Sequence, residues 1–235
     1  MSWLTPGGLA AALAVGAAVA WGLSWPGLAV LFAFFLSGSL LTQLAERRAG
    51  ASGGRRGPRR TARQVWANGG IAGVAALLGS WTAAAGALAA AAADTWATEI
   101  GAFSPFPPRL ITTGAPVTRG TSGGITALGT AGGVVGAAVI ALVTGWVEPR
   151  SIAPGSATLV AAGVLGMLAD SVLGATVQGK YRCPGCGAQF EHRKSVCHEP
   201  VRLIRGWRWL DNDGVNFAAT LVGAAGAALG TRSLP

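Results

Sequence analysis

Apolar residues run almost without interruption through seven stretches of this chain, at about 4–22, 26–44, 65–80, 82–103, 122–146, 153–178 and 213–231. A helix that crosses a ~30 Å hydrocarbon layer needs ~20 such residues, so each stretch reads as a membrane-spanning helix. The third is short and broken by glycine. The first is followed at once by a second apolar run and lacks a basic leader, so it is expected to be a retained helix anchored by Trp21 and Trp25 rather than a signal peptide. The pattern predicts an all-α, polytopic helical bundle.

Composition agrees. The 235 residues are 51% hydrophobic and 11% charged, with a mean hydropathy of +0.48, which excludes an ordinary soluble domain. The net charge of +9 invites a nucleic-acid reading, but the basic residues fall between apolar runs. Arg47, Arg48, Arg55, Arg56, Arg59, Arg60 and Arg63 share one segment; Arg109 and Arg119 share the next. Lys180, Arg182, Arg193, Lys194, Arg202, Arg205 and Arg208 fill a third. Basic loops alternating with short, nearly uncharged connections are the signature of the positive-inside rule. The expected topology has the N-terminus in the cytoplasm and the C-terminus outside, in the cell inner membrane, with no nucleic-acid partner. Residues 1–44 form two N-terminal helices, 45–64 a basic cytoplasmic linker, and 65–231 a core with cytoplasmic loops at 104–121 and 179–212.

Acids inside two of these helices change the picture. Asp94 and Glu99 lie in the fourth stretch and Asp170 in the sixth. Left unpaired at mid-membrane, three carboxylates would cost roughly 8–10 kcal/mol on the insertion scale, so an intramembrane acid reads first as functional. Both helices run toward the cytoplasm, and Asp94 and Asp170 fall at similar depth, as one shared site requires. Thr95 and Thr98 flank Asp94; Ser171 and Gln178 follow Asp170 on the same helix. Carboxylates among hydroxyls suit Mg²⁺, which takes one or two carboxylates and completes its shell with water and phosphate. Packing glue between helices is the plain alternative. The third–fourth and fifth–sixth stretches also resemble a weak parallel duplication, each ending on an Ala-Asp-Thr or Ala-Asp-Ser helix.

The loop after the Asp94 helix carries Arg109, Thr112, Thr113, Thr118, Arg119, Gly120, Thr121, Ser122, Gly123 and Gly124. Backbone N–H groups of a Gly-rich turn beside a helix start make an anion site, and guanidinium groups add bidentate contacts to phosphate. It lacks the lysine and spacing of a P-loop. Asn68, Asp213 and Asn216 sit at the starts of outward-running helices, where they serve either a ligand or a helix cap. Cys183, Cys186 and Cys197, with His198 or His192, have the spacing of a small structural zinc knuckle; free thiols in a basic loop are the alternative.

Together, Arg63–Gly69, Asp94-Thr95 through Glu99-Ile100-Gly101, Pro108–Thr113, Arg119–Gly124, Asp170-Ser171 through Gly174-Ala175 and Gln178, and Asp211–Asp213 with Val215-Asn216 resemble an integral membrane family that includes plant phytyl-phosphate kinase. The resemblance spans roughly residues 60–220. It implies a membrane-embedded kinase that moves a phosphoryl group from a nucleoside triphosphate, CTP by analogy with related kinases, to an isoprenoid monophosphate with Mg²⁺. In that reading Asp94 and Asp170 hold the metal, Arg119 stabilises transferring charge and Glu99 is a further ligand or orients the acceptor. Membrane lipid and the two substrates are the implied partners, and a homo-oligomer is left open. Two other readings stand beside it: a transporter or flippase using Asp94, Glu99 and Asp170 as a cation or proton relay, and a scaffold whose basic loops hold anionic lipid.

Overall fold

The computed structural model describes residues 3–48, 59–149, 156–191 and 200–232. Six helices carry the fold among them: α1 (Pro6–Arg48), α2 (Ala62–Leu77), α3 (Trp81–Gly101), α4 (Ala127–Val147), α5 (Ser156–Thr176) and α6 (Asn212–Arg232). Three of these, α1, α4 and α5, are long and apolar enough by composition to cross a membrane. Two features stand out against the sequence expectation, one agreeing with it and one departing from it.

First, the two N-terminal stretches are two helical halves of α1, as expected, meeting at Ser24, whose φ of 57° and ψ of −158° leave the helix just before Pro26. The chain folds back there. The Trp3 ring lies 5.6 Å from that of Phe35, whereas a straight helix would separate them by about 48 Å. Second, the loops are not irregular throughout. Strands β1 (Arg109–Leu110) and β2 (Gly124–Ile125) pair antiparallel in one; β3 (Lys180–Arg182), with β4 (Gln189–Phe190) and β5 (Arg202–Arg205) on either side, forms a small sheet in the other. An all-α assignment therefore holds for the bundle and not for these loops. Strands of two to four residues are too short for an alternating pattern to register.

Helix starts follow local side chains. Thr61 and Gln64 form a reciprocal capping box at α2, Ser80 caps α3, Thr126 caps α4 at 2.9 Å from the Gly129 N–H, and Asp211 caps α6 through the Gly214 N–H. Each satisfies a backbone donor that the first turn leaves open.

The bundle is built around α3, which touches all five other helices. Ala84 through Ala93 are all buried, so this stretch of α3 has protein on every side. Only small residues permit that: a Cβ at Gly129 would lie 2.6 Å from the Ala97 carbonyl oxygen, and one at Gly136 would lie 2.9 Å from that of Ala92. In lipid, where burial of apolar surface between helices gives little drive, such close backbone approach is what packs a bundle. Large apolar side chains such as Leu13, Phe32, Leu142 and Leu165 point outward. Exposed Trp21, Trp25 and Trp146 mark one end, and Trp207 and Trp209 the other, as interfacial belts do.

The loops of interest gather at one end. Arg48 stacks over Phe103, residue 4 bridges to residue 60, and Arg63 pairs with Asp211 at 2.7 Å.

Candidate functional site: a carboxylate cavity at the loop end of the bundle

A cavity of about 620 Å³ opens among α1–α6 and the two loops. Asp94 reaches it seven residues before the end of α3, and Asp170 six before the end of α5, both roughly 9–10.5 Å inside their helix termini. The two are close enough for the charge of each to act on the other, and Asp170 also feels Glu191. The Asp170 Oδ2 atom is buried without a hydrogen-bond partner among the described residues. A buried oxygen left unsatisfied costs about 1–3 kcal/mol or more when charged, so its position asks for a ligand.

Glu99 sits one turn further along α3. Its carboxylate accepts a 2.6 Å hydrogen bond from the Thr42 hydroxyl. Thr95, Thr98, Ser171, Asn68 and Asn216 also line the cavity. Because Thr61 and Asp211 cap α2 and α6, neither asparagine is spent on capping; among the described residues the Asn68 amide donates to the Gln64 carbonyl. Gly120, Thr121, Ser122, Gly123 and Gly124 form another wall. Gly123, at φ 81°, lies so near α5 that an added Cβ would come within 2.7 Å of Ala175 Cα. That contact fixes the Gly-rich turn beside the Asp170 helix.

Other expected residues have different surroundings. Arg119 lines the cavity, yet its guanidinium donates to the Ala102 and Ser104 carbonyl oxygens beyond the end of α3. Arg109 donates to the Gly114 carbonyl at 2.8 Å and lies off the cavity wall, as do Thr112, Thr113 and Thr118. The Thr118 hydroxyl lies 3.0 Å from that of Thr121. Asp213, 3.5 Å from Arg63, joins the ion pair that ties α2 to α6. Gln178 is buried behind the wall, donating 3.1 Å hydrogen bonds to Ser122 Oγ and to Glu191 Oε2.

Sequence reasoning missed Glu191, Arg60, Thr42, Glu46 and Asn212, all of which line the cavity. Glu191 accepts from the Ser122 N–H at 3.0 Å and from the Ser122 hydroxyl at 2.5 Å, linking two loops 69 residues apart. No local pattern announces that contact.

Two metal readings are tested differently. The oxygen-rich wall and the orphaned Asp170 Oδ2 fit a hard cation such as Mg²⁺. Among the described residues no group of three or more His, Cys, Asp and Glu gathers as a metal cluster; a pair of carboxylates completed by water and phosphate does not need one. For zinc, Cys183 is buried and Cys186 exposed in the turn joining β3 to β4, while Cys197, His198 and His192 lie outside the described residues.

The chain is 34% identical to Protein PGR of Arabidopsis thaliana, over 83% of this chain and 77% of that protein. It is 29% identical to an uncharacterised membrane protein of Synechocystis, over 94% of this chain and 80% of the relative. A third, from Methanocaldococcus jannaschii, is 34% identical over 58% of this chain and 45% of its own length. No solved structure matches the chain. The family described as integral membrane protein DUF92 matches residues 1–224, and the chain belongs to that family.

Proposed function

We propose that this protein is a membrane-embedded phosphotransferase that moves a phosphoryl group from a nucleoside triphosphate, CTP in the first instance, to an isoprenoid monophosphate. In this reading the hairpin halves of α1 and the five other helices make seven spans, and the loop end faces the cytoplasm. The observation that carries it is the meeting of Asp94 and Asp170, from two helices of the same direction, in one cavity walled by a Gly-rich turn. The resemblance to the phytyl-phosphate kinase family supports the substrate class.

Asp94 and Asp170 would hold Mg²⁺, which when bound neutralises donor phosphate charge and polarises the transferring group. The remaining work is positioning and electrostatics. Thr95, Thr98 and Ser171 offer hydroxyls around the two acids, and Asn68 and Asn216 offer amides. Arg119 keeps the Gly-rich loop against the end of α3. A phosphate acceptor is already anionic, so no strong general base is required. The exposed leucines and phenylalanines of the outer helix faces leave a prenyl tail in lipid while its head enters the cavity.

The test is Asp170→Asn in purified protein, assayed by radiolabel transfer from nucleoside triphosphates to phytyl, geranylgeranyl and polyprenyl phosphates with Mg²⁺. Loss of at least a hundredfold in transfer, with unchanged thermal unfolding, is expected. Wild-type transfer by the variant would reject the metal assignment. Wild-type protein inactive with every donor and acceptor pair would reject the kinase.

A further inference from the structure

Inside the cavity, five carboxylates (Glu46, Asp94, Glu99, Asp170 and Glu191) face two guanidinium groups, those of Arg60 and Arg119. An anion is repelled by most of such a wall, so its place is set by whichever donors are uncommitted. Arg119 is committed to two backbone carbonyls. The Ser122 N–H and hydroxyl are committed to Glu191. Arg109 is off the wall.

Arg60 is arranged otherwise. Its backbone is pinned by the Arg60 N–H donating to the Trp3 carbonyl and by the Thr5 N–H donating to its own carbonyl, both at 3.1 Å. Its guanidinium stacks 5.5 Å over the Phe35 ring and passes close to Gly38, where a Cβ would stand 3.4 Å from Nη2. Among the described residues that guanidinium donates no hydrogen bond. Burial pulls its pKa down and the charge of Glu99 pulls it back up, as for a cation held partly out of water. A planar donor fork, stacked and pre-oriented, suits bidentate binding of phosphate oxygens.

We propose that Arg60 is the phosphate-recognising cation of this cavity, binding a phosphate monoester dianion at the wall built by α1 and the start of α2. The inference rests on the cavity being a phosphate site, and names the side chain that discriminates phosphate from other polar heads. Phosphate borne on a lipid and free phosphate share this chemistry.

The experiment is calorimetric titration of the full chain in phosphatidylcholine nanodiscs, with EDTA and without nucleotide. The probes are inorganic phosphate, dodecyl phosphate and dodecanol. Arg60→Gln is expected to weaken dodecyl phosphate binding at least tenfold and leave dodecanol unchanged, with Arg60→Lys in between. Glu99→Gln is expected to strengthen phosphate binding by removing a competing charge. An Arg60 effect confined to dodecyl phosphate assigns a lipid-borne head; an equal effect on inorganic phosphate assigns free phosphate; both uphold the site. Unchanged binding in Arg60→Gln, equal weakening of dodecanol, or no binding of either phosphate to the wild type overturns it. Should Arg60→Gln fail to fold, Arg60→Lys and Glu99→Gln decide, since their effects must be opposite in sign. Arg60-dependent binding without any phosphoryl transfer would keep this site and sink the kinase.

Discussion

Gly120 and Gly123 make a matched pair for testing how the Gly-rich turn is held. Both line the cavity, and both have positive φ, 82° and 81°. An alanine at either costs roughly 1–2 kcal/mol for the left-handed backbone, offset by about 0.4–1 kcal/mol from the stiffer unfolded chain. Their surroundings differ. A Cβ at Gly120 meets nothing within 4 Å, whereas one at Gly123 comes within 2.7 Å of both N and Cα of Ala175. Those atoms are helix backbone and cannot turn aside, so the turn must lift from α5 at a further cost of about 1–3 kcal/mol. Gly120→Ala should therefore cost about 1 kcal/mol and Gly123→Ala about 2–4 kcal/mol. Lifting the turn also pulls Ser122 from Glu191 and Gln178, so Gly123→Ala alone should lose phosphate affinity. Reversible unfolding in mixed micelles gives the stabilities, and titration with dodecyl phosphate gives the affinity. Equal destabilisation by the two variants, or intact affinity in Gly123→Ala, would refute the contact.

Glu191→Gln keeps the shape of the side chain but replaces a carboxyl acceptor of three hydrogen bonds. A cost of about 1–3 kcal/mol is expected, together with a two- to tenfold gain in phosphate affinity as one negative charge leaves the cavity wall; weaker affinity in the same titration would instead make Glu191 a support of the bound state. Lys180 gives a pH test. Burial lowers its pKa, Glu191 opposes and Arg205 adds to the fall. The folded chain then binds this proton less tightly than the unfolded chain, so Lys180 is a penalty at neutral pH that fades as pH rises from its folded value toward the ordinary lysine value. Lys180→Met should flatten the alkaline rise in unfolding temperature between those limits; an unchanged profile refutes the assignment.

Helical segments, their direction and the facing acids were legible because a single rule governs them. Apolar length fixes the helices, and basic loops fix which ends assemble together. Asn68 and Asn216 were legible as cavity candidates on the same grounds, and Thr61 and Asp211 resolve the capping alternative. Arg60 and Glu191 were not, for a common reason. Arg60 looks like one more charge in a basic linker until the fold-back at Ser24 brings Phe35 under its guanidinium. Glu191 is an isolated acid after a Cys-rich turn, and its partner Ser122 is reached only through tertiary pairing. Arg119 was legible as a residue of the site, but not that its donors close on Ala102 and Ser104.

The burial of α3 bears on the choice between catalysis and conduction. From Ala84 to Ala93 the helix is buried on every side; from Asp94 onward its residues are half-buried or exposed. The change comes at the acid itself. On the far side of Asp94 the neighbours are backbone-to-backbone: a Cβ at Gly163 would lie 3.0 Å from the carbonyl carbon of Ala89, and one at Gly166 would lie 2.8 Å from the Ala219 carbonyl oxygen. A relay passing ions or lipid heads beyond Asp94 would have to part helices whose contacts at Gly163 and Gly166 leave no room for even a methyl group. Chemistry in a cavity at the loop end of the bundle faces no such barrier. The Ala-rich seam behind the two acids serves as an apolar floor where each charge acts at low dielectric. That asymmetry favours chemistry at the acids over passage between them.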